Sequence, residues 1–170
     1  MCFREEKEFL KNNTFYGGTL GGIIKKLDYI SSLGANTIYL SPIFDAASNH
    51  KYDTADYMTT DAAFGGEKSL KRLIRACHKR GIKVILDGVF NHTGDDSLYF
   101  DRYRHYSGDG AYKNPDSPYR SWYSFGESEE DYLSWWGIKI LPKLNHRDES
   151  CRRYFTGEDG VGAAYVRKGT

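Results

Sequence analysis

The chain has few of the residues that would cross-link or anchor a small protein. Its 170 residues include three cysteines, Cys2, Cys77 and Cys151, and four prolines. Cysteines so few and so far apart exclude a disulfide framework and a zinc site, so we expect a reducing, cytoplasmic setting. No apolar run approaches the roughly 18 residues of a membrane span, and the N-terminus lacks the apolar core of a signal peptide.

An excess of charge of one sign is also lacking. The chain has 24 Lys and Arg against 23 Asp and Glu, a formal net charge of +1. The basic stretch at residues 68–83 is the best candidate for a polyanion site, but its spacing puts the charges on the solvated side of an amphipathic helix. Cys77 lies on the apolar side of that helix and is expected to be buried. We therefore expect no nucleic-acid and no membrane partner.

Two helix-then-strand units follow each other along the chain. Apolar residues recur at helical spacing over residues 22–33 and again over residues 67–80. Residues 36–40 have the composition of a strand, and the short apolar run at residues 82–86 is typical of a parallel strand covered on both faces. Because strands separated by helices join into right-handed crossovers, the order predicts an α/β fold with a parallel sheet.

The second strand ends in the run DGVFNH, residues 87–92, whose polar groups a strand alone does not need. Asp87, Asn91 and His92 follow the carboxyl end of a parallel strand, where open α/β sheets and barrels place their ligand sites. The residues alone leave an alternative open. In that alternative Asp87 caps a turn and His92 is an ordinary loop residue.

A long connection, residues 45–64, joins the first strand to the second helix and is predicted to be a functional loop. Its polar and aromatic residues are Asn49, His50, Tyr52, Asp53, Asp56, Tyr57 and Asp61. Tyrosines alternating with carboxylates and amides suit a sugar, since a ring covers the apolar face of a pyranose while polar groups bind its hydroxyls. The alternative is a surface loop held by its own hydrogen bonds.

Five runs of the sequence, in this order, resemble the alpha-amylase family of glycoside hydrolases, and most closely its neopullulanase, cyclomaltodextrinase and maltogenic amylase branch. They are FYGGTLGGI from Phe15, ANTIYLSPIF from Ala35, SNHKYDTADY from Ser48, DGVFNH from Asp87 and LPKLN from Leu141. The resemblance covers nearly the whole chain. It implies an eight-stranded (β/α) barrel, the TIM barrel, with a small domain B inserted after the third strand.

We therefore expect an α/β chain that forms part of a TIM barrel, about strands 2 to 3 with their helices, plus the inserted domain B. Residues 1–92 would belong to the barrel, residues 93–145 to domain B, and residues 146–170 to a segment returning toward the barrel. Within domain B, Trp122 and Trp135 are expected to pack a small core, and Trp136 is the best candidate for a platform under a sugar.

The resemblance also implies roles for individual residues. His92 resembles the histidine that hydrogen-bonds the glucose on the nonreducing side of the scissile bond, and Tyr52 resembles the tyrosine that stacks on the same glucose. Asp87 resembles the carboxylate that orients the arginine of the fourth strand. Together with Trp136 and with His50 from the long loop, these residues form the expected substrate-binding set.

A structural calcium ion is disfavoured. Asn91 resembles a calcium ligand of many alpha-amylases, but Lys143 stands where calcium-binding members usually have an aspartate, and its ammonium would repel the ion. Some members of the branch bind calcium through an aspartate where this chain has Thr19. We therefore expect no cofactor.

The runs that carry the family's nucleophilic aspartate, acid/base glutamate and stabilising aspartate do not occur in the sequence. A whole barrel needs about 250 residues. We therefore expect a fragment of a retaining α-glucan hydrolase, inactive by itself, whose partners are α-glucan oligosaccharides. Two alternatives stay open: a non-catalytic half-barrel that binds glucans or associates through its open edges with the missing half or a second copy, and a fragment of a related α-glucan transferase.

Overall fold

The computed structural model describes residues 14–106 and 108–170, so Cys2 lies outside the described residues. In chain order the elements are α1 Leu20–Ile24, α2 Leu27–Ser32, β1 Thr37–Leu40, β2 Phe44–Ala46, β3 Thr54–Thr60, α3 Gly66–His78, β4 Lys83–Leu86, α4 Glu149–Thr156 and α5 Val161–Val166. Single 3-10 turns occur at Ala62–Phe64, Arg120–Trp122 and Trp135–Gly137. No helix within the described ranges is long and apolar enough to cross a membrane.

Strands β1 and β4 pair in parallel, as the sequence predicts, with Tyr39 opposite Ile85 in the register. Helix α3 packs on β4 and buries Leu70, Leu73, Ile74 and Cys77, so the expected burial of Cys77 is confirmed. The other face of the pair is open, because Tyr39 is 61% and Ile85 49% exposed. The two-stranded sheet is thus covered on one face only.

The single helix expected over residues 22–33 is two short helices, α1 and α2. The break falls at Lys26, whose φ of −106° and ψ of 2° leave the helical region. Gly21 and Gly22 make α1 a poor helix former, because glycine loses the most backbone entropy on ordering. Leu27, at the start of α2, is completely buried, so core packing fixes where the second helix begins.

The long connection predicted to be a loop is instead mostly a β-hairpin. Strands β2 and β3 pair antiparallel, with register shifts on either side of Asp45. Tyr57 on β3 is completely buried, so its assignment to a sugar-binding loop was wrong. The turn between the strands, residues 47–53, exposes Tyr52 and His50 and buries Ser48 and Lys51.

Residues 93–145 form an irregular lobe around an aromatic core. Its buried rings are Tyr99, Phe100, Tyr112, Trp122, Tyr123 and Tyr132. The expected core position of Trp122 is confirmed, and its Nε1–H donates to Ser150 Oγ at 2.8 Å. The lobe leaves and rejoins the rest of the chain at one place, since the Leu144 N–H donates to the Asn91 carbonyl at 2.9 Å.

Candidate functional site

The carboxyl ends of β1 and β4 hold a carboxylate that two tyrosines approach. The Asp87 N–H donates to the Leu40 carbonyl at 3.0 Å, which joins the two strand ends. The Tyr52 hydroxyl donates to Asp87 Oδ2 at 3.0 Å, and its ring is 43% exposed. The same carboxylate raises the pKa of Tyr39 to about 12 through a hydrogen bond and raises the pKa of Tyr52. Two phenols therefore face one carboxylate at the predicted edge.

His92 lies beneath this edge with both ring nitrogens bonded inside the protein. Asn91 Nδ2 lies 3.1 Å from Nδ1, and Nε2 lies 3.1 Å from the Tyr52 carbonyl. Because an amide nitrogen can only donate, Nδ1 accepts and Nε2–H donates to the carbonyl. Burial lowers the pKa of His92 below its ordinary value of 6.5. Above pH 6.5 the ring is therefore neutral, and it joins the segment after β4 to the turn that carries Tyr52. That contribution to stability is lost as the pH falls below 6.5 through the folded-state pKa.

His50 belongs to the same turn as Tyr52 and organises it. The Tyr52 N–H donates to His50 Nδ1 at 3.1 Å, and Ser48 Oγ lies 3.1 Å from the same nitrogen. The His50 and Tyr52 rings are 6.0 Å apart and tilted by 35°. The structure thus brings together Tyr52, Asp87, His92 and His50, the residues that the sequence assigned to one site.

Trp136 connects to this cluster through a stack of rings. The Trp136 ring lies 4.7 Å from Trp135 at an angle of 13°, and Trp135 lies 5.2 Å from the His92 ring at 25°. Trp136 is 84% exposed and has a positive φ of 51°, an uncommon conformation for a bulky residue. Trp135 supports both neighbours instead of packing a core. The sequence offered no signal for this role beyond its position next to Trp136.

A second residue that the sequence analysis missed is Lys51, which is 2% exposed. Its ammonium bonds Asp61 Oδ2 and the Ala46 carbonyl, the latter at 2.7 Å. A buried lysine carries no signature in the sequence, because lysine is almost always exposed.

At the three positions that correspond to calcium ligands in the family, this chain has Asn91, Thr19 and Lys143, none of them a carboxylate. The Asn91 amide bonds His92, and Thr19 Oγ1 accepts from the Gly22 N–H at 3.0 Å to begin α1. Lys143 is exposed beside this segment and forms a bridge with His92 through the backbone. Within residues 14–106 and 108–170 no three His, Cys, Asp or Glu side chains could hold a metal ion together. These residues do not fit calcium, and its absence stays a prediction.

A cavity of about 640 Å³ borders Tyr52 and His50 on the side of α1. Its lining includes the aliphatic residues Leu20, Ile23 and Ile43 together with the polar residues Ser41 and Asn49. The cavity therefore adjoins the exposed Tyr52 ring and offers both apolar and polar groups.

Comparison with known proteins decides the family. Residues 6–161 match the family described as alpha amylase, catalytic domain. The chain belongs to the alpha-amylase family. The expected resemblance is therefore confirmed, and with it the coarse fold, a portion of a TIM barrel.

Relatives of this alpha-amylase family chain have names that refer to enzymes acting on α-glucans. It is 50% identical over 139 residues to an amylopullulanase of Thermoanaerobacterium saccharolyticum, covering 78% of this chain and 11% of the relative. It is 42% identical over 147 residues to a cyclomaltodextrinase of Geobacillus thermopakistaniensis (strain MAS1), covering 83% and 24%. The chain thus spans between a tenth and a quarter of the length of these relatives.

A solved structure agrees with both fold and family. The ligand-free cyclic alpha-maltosyl-(1→6)-maltose hydrolase from Arthrobacter globiformis superposes with a TM-score of 0.82 at 34% identity. The match covers 94% of this chain and 35% of the hydrolase. These names also agree with the expected neopullulanase and cyclomaltodextrinase-like branch.

Proposed function

We propose that the chain supplies the donor-side sugar-binding wall of a retaining hydrolase that acts on α-glucosidic bonds of α-glucans. The observation that carries this proposal is the half-exposed Tyr52 ring held against Asp87 at the carboxyl ends of β1 and β4. An aromatic face beside an acceptor suits a pyranose, whose apolar face stacks while its hydroxyls bond. The names of the relatives support α-glucans as the substrate class.

Each site residue has a role in this proposal. Tyr52 stacks on the glucose next to the scissile bond, and His92 meets a hydroxyl of the same glucose in competition with the Tyr52 carbonyl. Asp87, which accepts from Tyr52, orients an arginine supplied by a later strand. His50 borders the same glucose from the turn that carries Tyr52. Trp136 stacks on another glucose of the same oligosaccharide.

The domain division is part of the same proposal. Strands β1 and β4 are strands 2 and 3 of the barrel, within residues 1–92, and residues 93–145 are domain B. The adjacency of Asn91 and Leu144 supports this division, because an inserted domain must leave and rejoin its host at neighbouring points. Residues 146–170, which hold α4 and α5, return toward the barrel.

Hydrolysis with retention needs a nucleophilic carboxylate and a carboxylic acid about 5–5.5 Å apart on either side of the bond. In this proposal Asp87 orients an arginine and is neither member of such a pair. We propose that the 170-residue polypeptide alone binds α-glucans without cleaving them, and that a related α-glucan transferase is the alternative for the whole protein. The cytoplasmic setting stays a prediction.

A second candidate function is association with barrel strands. It is favoured by the two-stranded sheet of β1 and β4, in which each strand has one edge without a partner strand among the described residues, and by the exposed Tyr39 and Ile85 on one face. An open sheet edge invites pairing with another strand. The partner would be the remainder of a barrel or a second copy of this chain.

Titration of the purified chain with maltoheptaose, followed by tryptophan fluorescence, tests the main proposal. We expect saturable binding with a Kd of about 1 mM, because one exposed wall offers few pre-organised contacts. Cellohexaose, which has β-linkages, is the control and should not saturate. Product analysis after long incubation should find no new reducing ends.

Sedimentation at two protein concentrations should accompany the titration. Concentration-dependent size with no saturable maltoheptaose signal would favour the association function instead. Cleavage of maltoheptaose by the pure chain would contradict the proposed lack of catalysis. Equal binding of both oligosaccharides would overturn the α-glucan assignment.

Trp136→Ala tests the platform role. We expect about a threefold rise in the Kd for maltoheptaose, because the sugar loses one stacking surface at the edge of the site. The free energy of unfolding should change by no more than about 0.5 kcal/mol, since the side chain is 84% exposed. Calorimetric titration and urea denaturation measure the two effects. An unchanged Kd would remove Trp136 from the site.

A further inference from the structure

Lys51 has an unusual environment for a lysine. Its side chain is 2% exposed, and its ammonium bonds the carboxylate of Asp61 and the carbonyl of Ala46. The ammonium also lies 4.7 Å from the centre of the Phe15 ring and 5.9 Å from that of Phe64. A buried charge persists only where such partners replace water. The site is therefore built around this one cation.

The partners of Lys51 come from both sides of the β2 and β3 hairpin. Ala46 is the last residue of β2, and Asp61 directly follows β3. Asp61 is itself fixed, because its Oδ1 accepts from the Ala63 N–H at 2.7 Å and its own N–H donates to the Ile43 carbonyl at 2.9 Å. The ammonium of Lys51, a residue of the turn at 47–53, thus bonds the carbonyl at the start of that turn and the carboxylate at the opposite, open end of the hairpin.

The backbone of Lys51 has an uncommon conformation that the contacts of this turn must stabilise. Its φ is 64°, in the left-handed region that costs free energy for a residue with a Cβ. Its N–H donates to Ser48 Oγ at 3.0 Å, and the next residue in the chain is Tyr52. The side chains of consecutive residues in this turn point apart, with Lys51 inward and Tyr52 toward the exposed edge. The conformation of Lys51 therefore sets where the Tyr52 ring stands.

We propose that Lys51 is a positioning residue, whose buried ammonium fixes the turn that presents Tyr52 to an α-glucan. This inference rests on the sugar-binding role proposed for Tyr52. It assigns to Lys51 an effect on affinity that is transmitted through Tyr52 alone. A lysine that only stabilises the hairpin would leave the affinity of the folded chain unchanged.

The first test replaces Lys51 by Met, which keeps the length of the stem and removes the charge. We expect about a fivefold rise in the Kd for maltoheptaose at a temperature where the variant is folded. The matched control is Lys168→Met, because Lys168 also pairs with a carboxylate, Glu67 at 3.1 Å, and lies 3.8 Å from the centre of the Tyr165 ring. The control should leave the Kd unchanged. If Lys51→Met does not fold, Lys51→Arg, which keeps the charge but not the geometry, should give about a threefold rise.

A double-mutant cycle with Tyr52→Ala separates positioning from a general loss of stability. Lys51→Met should have no further effect on the Kd once Tyr52 is gone, because the route of its action is removed. Equal effects of Lys51→Met in both backgrounds, or an unchanged Kd in the single variant, would overturn the proposal.

Hydrogen exchange keeps this inference distinct from the proposed function. The amides of Ser48, Lys51 and Tyr52 all donate to side chains within the turn. Lys51→Met should speed their exchange by about tenfold relative to amides of α3, whether or not the chain binds glucan. Failure of the unchanged chain to bind maltoheptaose would refute the proposed function. Unchanged exchange in the turn would refute the positioning role.

Discussion

Replacing Tyr57 by alanine is expected to destabilise the chain by about 3–5 kcal/mol, the usual cost of removing a buried aromatic ring. The Tyr57 ring is completely buried and packs on Phe44, Phe90, Tyr99 and Phe155, with ring centres 4.9–5.8 Å away. Small domains have only about 5–15 kcal/mol of stability, so this loss would leave the variant marginally folded. Urea denaturation followed by circular dichroism measures it.

The Tyr57 hydroxyl adds a polar contribution that phenylalanine isolates. It lies 2.6 and 2.7 Å from the carbonyl oxygens of Val89 and His92, which share its one proton, and so fixes the segment that follows β4. Tyr57→Phe leaves these buried acceptors without that donor, so we expect a loss of about 1–3 kcal/mol. Tyr29→Ala is the control, because Tyr29 is 63% exposed and its loss should cost no more than about 0.5 kcal/mol. Equal losses of stability on substitution of Tyr57 and of Tyr29 would contradict the burial of Tyr57.

The same burial gives the stability a dependence on alkaline pH. Desolvation raises the pKa of Tyr57 well above its ordinary value of 10.0. A phenol whose pKa is raised by folding contributes stability that is complete below pH 10.0 and is lost as the pH rises toward the folded-state value. Burial also raises the pKa values of Tyr99, Tyr123 and Tyr165. Tyr57→Phe should therefore reduce the alkaline loss of stability only in part.

The regular elements with strong periodicity were predictable. Helix α3 and strands β1 and β4 follow from apolar spacing, because each buries one face or one stripe against the others. Their parallel pairing followed from the alternation of helix and strand. Helices α1 and α2 were predicted as one helix, since spacing alone does not register the cost of consecutive glycines.

The hairpin of β2 and β3 was missed for a physical reason. β2 has only three residues, and β3, which pairs with it through register shifts around Asp45, lacks the regular alternation of buried and exposed positions that identifies a strand. For the same reason Tyr57 was assigned to a loop, and the burial of Lys51 was not predicted. Burial of a tyrosine hydroxyl or a lysine ammonium depends on acceptors that lie far away in the sequence, such as the carbonyls of Val89 and His92.

The positions of the candidate-site side chains were more predictable than the elements around them. The carboxyl ends of parallel strands must meet at one edge, so Asp87 and His92 had to lie near residues that follow β1. Tyr52 reaches that edge because the hairpin folds back over it. Trp135 was assigned to a core and instead stacks between His92 and Trp136, an arrangement that depends on the path of the irregular lobe.

Tyr52→Ala is expected to raise the Kd for maltoheptaose by about 10-fold to 30-fold, the largest effect on binding in the chain. The Tyr52 ring is the central exposed aromatic surface of the site, and His50, His92 and Lys51 all act on the turn that carries it. Tyr52→Phe keeps the ring and loses the bond to Asp87, so we expect a rise of only about threefold. Calorimetric titration of each folded variant gives these ratios.

Tyr103 provides a matched control for Tyr52. It is 51% exposed, and its hydroxyl also donates to a carboxylate, Asp95 Oδ2, at 3.0 Å, but it lies in the irregular lobe. Tyr103→Ala should leave the Kd for maltoheptaose unchanged. If Tyr52→Ala and Tyr103→Ala weaken binding equally, the effect is a general response to loss of an exposed tyrosine. A loss confined to Tyr52 would place the glucose at the carboxyl ends of β1 and β4.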